Sequence, residues 1–223
     1  MAAGFTILTS NALNAPVETS RATASVTPAV GDLAFWYLPN YAAAPTYQLT
    51  GADVTWTLLD SVVHDTDHVL AVFRATAGGG TAGVQTFADT GSDDWLDPCW
   101  AIVRPTDLTY VGVAGKGSGA AQITITITSE SPAALLCYYG RHVSNTFNTV
   151  TDWTELLDTG VTGDSSEQLQ WRDSDVASIE SNVVGAGQMA GIVLDFSAAA
   201  SGLSIPRGFN RGVYRGFNSG MIV

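Results

Sequence analysis

The chain has 223 residues, 13% of them charged, with 21 acidic against 9 basic residues and a formal net charge of −12. That balance argues against nucleic acid as the main partner, because phosphate binding draws on a basic footprint. The length allows one large all-β domain that buries roughly 70–75% of its unfolded surface without staples. A charge content about half the usual ~25% suits a surface covered by neighbouring proteins, and equally a Thr-rich β surface with none.

Taken in order, Phe5 to Leu8 reads as a first strand, and Ala22 to Val26 alternates small and β-branched residues before Thr27-Pro28. The turn Ala29-Val30-Gly31-Asp32 leads into the dense apolar strand Leu33 to Leu38, and Tyr47 to Leu49 makes a short edge strand. Ala52 to Ala75 reads as a long antiparallel hairpin. Trp56, Leu58 and Val62 are placed on one face of its first arm, interrupted by Asp60. Its second arm, Val69 to Phe73, is continuously apolar, as a strand covered on both sides is. The polar centre, His64 to His68, is a turn.

After the flexible Gly78-Gly79-Gly80, strands are predicted at Val84 to Phe87 and at Cys99 to Val103, the latter ended by Arg104-Pro105. Between them lies the acidic loop Asp93-Asp94-Trp95-Leu96-Asp97. Gln122 to Thr128 alternates strictly, which predicts a strand with Ile123, Ile125 and Ile127 facing a core. Ala134 to Tyr139, Gln168 to Arg172, Ala177 to Glu180 and Met189 to Phe196 are further strands. Trp153 to Leu157 fits a strand or one helical turn. The pattern predicts an all-β protein, a two-sheet antiparallel sandwich of jelly-roll-like kind over residues 1–200, with an extended C-terminal arm over 201–223.

Cys99 and Cys137 each sit in an apolar run and read as buried free thiols rather than a disulfide. The first basic residue is Arg21, so no charged segment precedes an apolar one at the N-terminus, and no apolar run reaches 18 residues. These features predict synthesis in the cytosol and no membrane insertion. No helix follows a Gly-rich phosphate loop, which excludes a Rossmann or P-loop protein.

Few constellations carry chemistry. His64, Asp65, Asp67 and His68 could ligate a divalent cation if the loop curls back, but the same residues make a solvated turn, and no metal or other cofactor is expected. The acid pairs Asp93/Asp94 and Asp173/Asp175 have no fixed separation, and no Gly-x-Ser-x-Gly elbow occurs, so the chain is not read as an enzyme. Of the six tryptophans, Trp36, Trp56, Trp100 and Trp153 lie in apolar runs and belong to the core. Trp95 and Trp171 are the pair that could stack on a saccharide.

The tail repeats Arg-Gly-Phe-Asn at Arg207 and Arg215, with a degenerate copy at Arg211-Gly212-Val213-Tyr214 between them. Three of the nine basic residues lie in the tail and no acid follows Asp195, so the body carries six bases against 21 acids, or −15, and the tail +3. The expected role is an assembly arm, with Arg207, Arg211 and Arg215 meeting acidic or backbone acceptors and Phe209, Tyr214 and Phe217 as aromatic anchors.

Three pieces, in this order and spacing, resemble a β-sandwich domain of structural proteins from tailed phages and prophages. They are Ser20 to Pro28 followed by Gly31 and an apolar strand, Thr50 to Leu59 with a partner strand ending Phe73-Arg74-Ala75, and Trp153 to Asp158 followed by Met189 to Leu194. They span about residues 5–197 and leave the tail outside. The resemblance implies a virion structural role with no catalytic motif to carry over. A capsid decoration or tail-associated subunit is expected, partnered by copies of itself and other virion proteins, with no nucleic acid and no membrane. The alternative is a receptor- or carbohydrate-binding module on a fibre or head spike.

Overall fold

The computed structural model describes residues 4–12, 20–39, 47–51, 53–64, 68–89, 99–129, 132–142, 147–160, 165–183 and 187–200. Among them are seventeen strands and no helix. In chain order the first eight are β1 (Gly4–Ala12), β2 (Ser20–Ala22), β3 (Leu33–Pro39), β4 (Tyr47–Gly51), β5 (Val54–His64), β6 (His68–Gly78), β7 (Gln85–Asp89) and β8 (Cys99–Thr106). These form one antiparallel sheet in the order β1-β8-β3-β6-β5-β4-β7-β2.

The second half opens with β9 (Leu108–Gly119), β10 (Thr124–Thr126), β11 (Ala134–Arg141) and β12 (Phe147–Asn148). It continues with β13 (Thr154–Gly160), β14 (Ser166–Arg172), β15 (Ser178–Glu180), β16 (Asn182–Val183) and β17 (Met189–Ala198). A five-stranded antiparallel sheet runs β13-β14-β11-β17-β9, and two small pairs, β10–β15 and β12–β16, stand apart from it. The two large sheets face each other as a sandwich.

Alternation along the strands builds three cores. Between the sheets lie Leu33, Phe35, Tyr37, Leu70 and Val72 from one side and Leu136, Tyr138, Ile192, Leu194 and Phe196 from the other. The opposite face of β3, β6 and β8 carries Trp36, Leu38, Ala71, Phe73 and Trp100. The large sheet curls so that β4, β7 and the segment after β2 bring Leu49, Phe87 and Val26 over that face. Phe87 there stacks on Trp100 with ring centroids 5.7 Å apart. The outer face of the five-stranded sheet, with Leu135, Cys137 and Tyr139, is covered by Ile123, Ile125, Ile127, Ile179, Phe147 and Trp153 from the two small pairs and their flanks. A strand with a core on each side has no polar positions to spare, which is why the runs at 33–38, 69–73 and 134–139 are continuously apolar and buried.

Several expectations hold in detail. Ile123, Ile125 and Ile127 are buried while Thr124 and Thr126 are exposed, although the core they enter is the outer one and the regular strand covers only Thr124–Thr126. Cys99 and Cys137 are thiols, not joined in a disulfide, and are buried in different cores. Trp153 to Leu157 is strand from Thr154 onward.

Three expectations need correction. Trp56, Leu58 and Val62 do not share a face: Trp56 packs on the core behind the large sheet and Val62 enters the inter-sheet core. A bulge between Leu58 and Asp60 adds one residue to β5, and one residue flips the alternation. The strand at Cys99 does not stop at Arg104-Pro105 but runs to Thr106. Pro105 pairs only with Phe5 of β1, because β3 ends its pairing with β8 at Val103, so the missing N–H costs no bond on that side. Finally, the twelve-residue strand β9 was not foreseen.

Candidate functional site

The turn at Ala29–Asp32 and the β8–β9 corner bound a cavity of about 260 Å3 at one end of the sandwich. Its walls include Val30, Asp32, Arg74, Arg104, Pro105, Leu108 and Tyr110. The turn closes with the Asp32 N–H donating to the Ala29 carbonyl at 3.0 Å, and Gly31 takes φ +97° at the third position, as a type II turn requires. The Gly31 N–H bonds the Ala75 carbonyl and the Ala75 N–H bonds the Asp32 carbonyl, both at 2.9 Å, so the turn is fastened to β6.

Asp32 is the anchor of this end. Its side chain is 2% exposed. It accepts from the Ala29 N–H at 2.7 Å and from Arg104 Nε and Nη2 at 2.8 and 2.7 Å. Arg104 Nη2 also reaches the Thr27 carbonyl at 2.8 Å. This bidentate pairing raises the Arg104 pKa above its ordinary value, against the opposing effect of burial. Arg74 has no such partner. Its guanidinium lies over the Tyr110 ring, 5.4 Å from the centroid, and its buried Nε makes no hydrogen bond among the described residues. Burial pushes the Tyr110 hydroxyl up, while Arg74 pulls it down and Asp60 pushes it up again.

The opposite end gathers the three histidines of the chain. His64 and His68 face each other across the ends of β5 and β6, with ring centroids 6.4 Å apart. His142, just after β11 in the facing sheet, brings Nδ1 to 3.0 Å from Nε2 of the buried His68. One ring must donate and the other accept, so this bond requires at least one of the two to be neutral. The His142 N–H and the Tyr37 hydroxyl both donate to the Gln188 carbonyl, at 2.8 and 3.2 Å. Nearby on β11 and β14, the Tyr138 hydroxyl donates to Glu167 Oε2 at 2.7 Å, and both groups are fully buried. Among the described residues no group of three His, Cys, Asp or Glu side chains is arranged to hold a metal ion.

Of the residues singled out in the sequence, His64 and His68 do converge, but Asp65 and Asp67 lie outside the described residues. So do Trp95, the Asp93–Asp97 loop and all six residues of the expected arm: Arg207, Phe209, Arg211, Tyr214, Arg215 and Phe217. Trp171 is half-buried, packs against the inter-sheet core and meets the Phe5 ring edge-on at 5.7 Å. Asp173 and Asp175 are exposed on the connection after β14. Sequence reading missed His142, Arg74, Arg104 and Tyr110. Arg74 and Arg104 follow apolar runs within β6 and β8, His142 comes just after β11, and Tyr110 lies near the start of β9; only the sheet topology joins them to partners dozens of residues away. No family model matches the chain, and no curated protein and no solved structure is significantly similar to it.

Proposed function

We propose that this chain is a non-enzymatic structural subunit of a tailed-phage virion, a capsid decoration or tail-associated protein that assembles with copies of itself and with other virion proteins. The observation that carries the assembly role is the side of the sandwich where β5 meets β9. Leu58, Val63 and Val111 lie on these two strands and are 43%, 51% and 60% exposed. The strands are joined there by one ion pair, Lys116 Nζ to Asp60 Oδ1 and Oδ2 at 2.8 and 2.9 Å, and by the Ser118 hydroxyl donating to the Val63 carbonyl at 3.2 Å. Apolar side chains on a surface this poor in charge suit a face covered by a neighbour. The virion assignment rests on the order and spacing of the three sequence pieces, which fall on the β2–β3 segment, the β4–β6 hairpin region, and β13 with β17.

Light scattering of the purified full chain tests the assembly, and mass spectrometry of purified particles tests the location. Self-association at micromolar concentration, lost in a Val63→Glu, Val111→Glu double variant that keeps its β-sheet circular dichroism, is the expected result. A chain that stays monomeric and is absent from particles would overturn the reading. A glycan-array hit abolished by Trp95→Ala or Trp171→Ala would replace it with the carbohydrate-binding alternative.

A further inference from the structure

We propose that the cavity between the Ala29–Asp32 turn and the β8–β9 corner is a carboxylate-binding site, with Arg74 and the Nη1 of Arg104 as its donors. This goes beyond the assembly role and does not depend on it. The walls carry two guanidinium groups and one carboxylate, so the cavity is net positive in a chain whose overall charge is −12. Asp32 offsets the charge of Arg104 in their ion pair, so the remaining positive charge is that of Arg74. Arg104 keeps Nη1 uncommitted among the described residues, while Asp32 and the Thr27 carbonyl hold the rest of its fork in place.

Arg74 makes no hydrogen bond or ion pair with the described residues. Its position over the Tyr110 ring occupies one guanidinium face; the Nε is buried, and the terminal Nη groups are the donors a ligand in the cavity would meet. A half-buried guanidinium without an ion-pair partner among the described residues is unfavourable until an anion arrives. A planar carboxylate is the anion whose geometry matches guanidinium edges. The net charge of the cavity balances a monoanion and falls short of a phosphate dianion. The volume, about 260 Å3, admits a small acid or one acidic side chain and is below the usual range for larger ligands. Pro105, Leu108 and Val30 supply the apolar wall against which an aliphatic stem would rest. The fixed Arg104 fork reduces the ordering cost of binding.

The ligand group could belong to a free acid or to an acidic side chain of another protein. A titration of the full chain by NMR, read on arginine Nε–H resonances at constant ionic strength, tests the site and separates the sources. The probes are propionate for a free acid, a capped Gly-Glu-Gly peptide for a side chain, and inorganic phosphate as the control anion. The expected result is saturable movement of the Arg74 and Arg104 resonances with a dissociation constant on the order of millimolar. Arg74→Gln should weaken binding about tenfold or more, and Arg74→Lys, which keeps the charge but loses the fork, should weaken it less. Arg172→Gln, on β14 away from the cavity, should bind as the unsubstituted chain does. Saturation by propionate assigns a free acid, and saturation by the peptide alone assigns a docked protein. Movement that stays linear to about 100 mM, full-strength binding after Arg74→Gln, or saturation by phosphate alone would overturn the site. If Arg74→Gln fails to fold, the resonances of the unsubstituted chain still decide, by whether those of Arg74 and Arg104 saturate while Arg172 does not move.

Discussion

Cys137, Tyr138 and Tyr139 occupy successive positions of β11, the central strand of the five-stranded sheet, and all three side chains are fully buried. Burial is the largest influence on each and raises all three pKa values, with the neighbouring Glu167 adding to the rise at Tyr138. These groups are neutral when protonated, and their folded-state pKa values stand above the unfolded ones. The stability they contribute is therefore intact below the unfolded values, about 8.5 for Cys and about 10 for Tyr, and falls as pH rises past them. Each such proton contributes a slope of up to about 1.4 kcal/mol per pH unit. Urea denaturation should show little change from these groups up to about pH 8 and a steepening loss above about pH 9. Cys137→Ala should lessen the first part of that loss; a stability curve flat to about pH 11 would contradict the buried placement. The apolar neighbours in this run made the burial of Cys137 readable from sequence. The pairing of Tyr138 with Glu167 was not readable, nor was that of Asp32 with Arg104, because both join segments far apart in the sequence.

β9 shows why one long element escaped the sequence. Its last eight residues read Gly-Val-Ala-Gly-Lys-Gly-Ser-Gly, and glycine ordinarily weakens a strand. In the fold Gly115 and Gly119 make room. A Cβ on Gly115 would overlap the Thr126 carbonyl and press on Ile125, and one on Gly119 would come within 2.9 Å of Ile123. Bare backbone on β9 thus lets β10 lie close and drives its isoleucines into the outer core. The alternation of β10 was legible, but the surface it needed was encoded as an absence of side chains. Gly115→Ala should therefore cost about 1–3 kcal/mol by forcing β10 away. Gly112→Ala, at a position with nothing within 4 Å of the new atom, is the control on the same strand and should be close to neutral. Calorimetric midpoints of the two variants check this, and equal shifts would show that the close approach of β9 and β10 does not matter.

At the scale of the molecule, an all-β body stacks three cores between and outside two large sheets, and its described part ends at Ala200. The last described backbone bond before that point runs from the Ala199 N–H to the Asp107 carbonyl at 2.9 Å. That anchor places the exit of the tail at the β8–β9 corner. The strands and cores described above are drawn from residues 4–200, and the tail lies outside the described residues. It differs from the body in charge: six bases and 21 acids give −15, against +3 for the tail. Opposite signs attract over distances that salt shortens, with a screening length of about 30 Å at 0.01 M and about 8 Å at 0.15 M. If the tail is the arm that joins subunits, deleting residues 204–223 should leave the midpoint of thermal unfolding unchanged within about 2 °C, a shift too small for the loss of a core element. The same deletion should weaken self-association, and so should raising salt from about 0.05 to about 0.5 M with the full chain. Substituting Arg207, Arg211 and Arg215 together by Gln, which keeps the length and removes the charge, should reproduce the salt effect without the truncation. Sedimentation velocity across these samples decides the matter. Association that survives the deletion at full strength would place the interface wholly on the sandwich, and association lost on deletion but insensitive to salt and to the Gln substitutions would assign the contact to Phe209, Tyr214 and Phe217 instead.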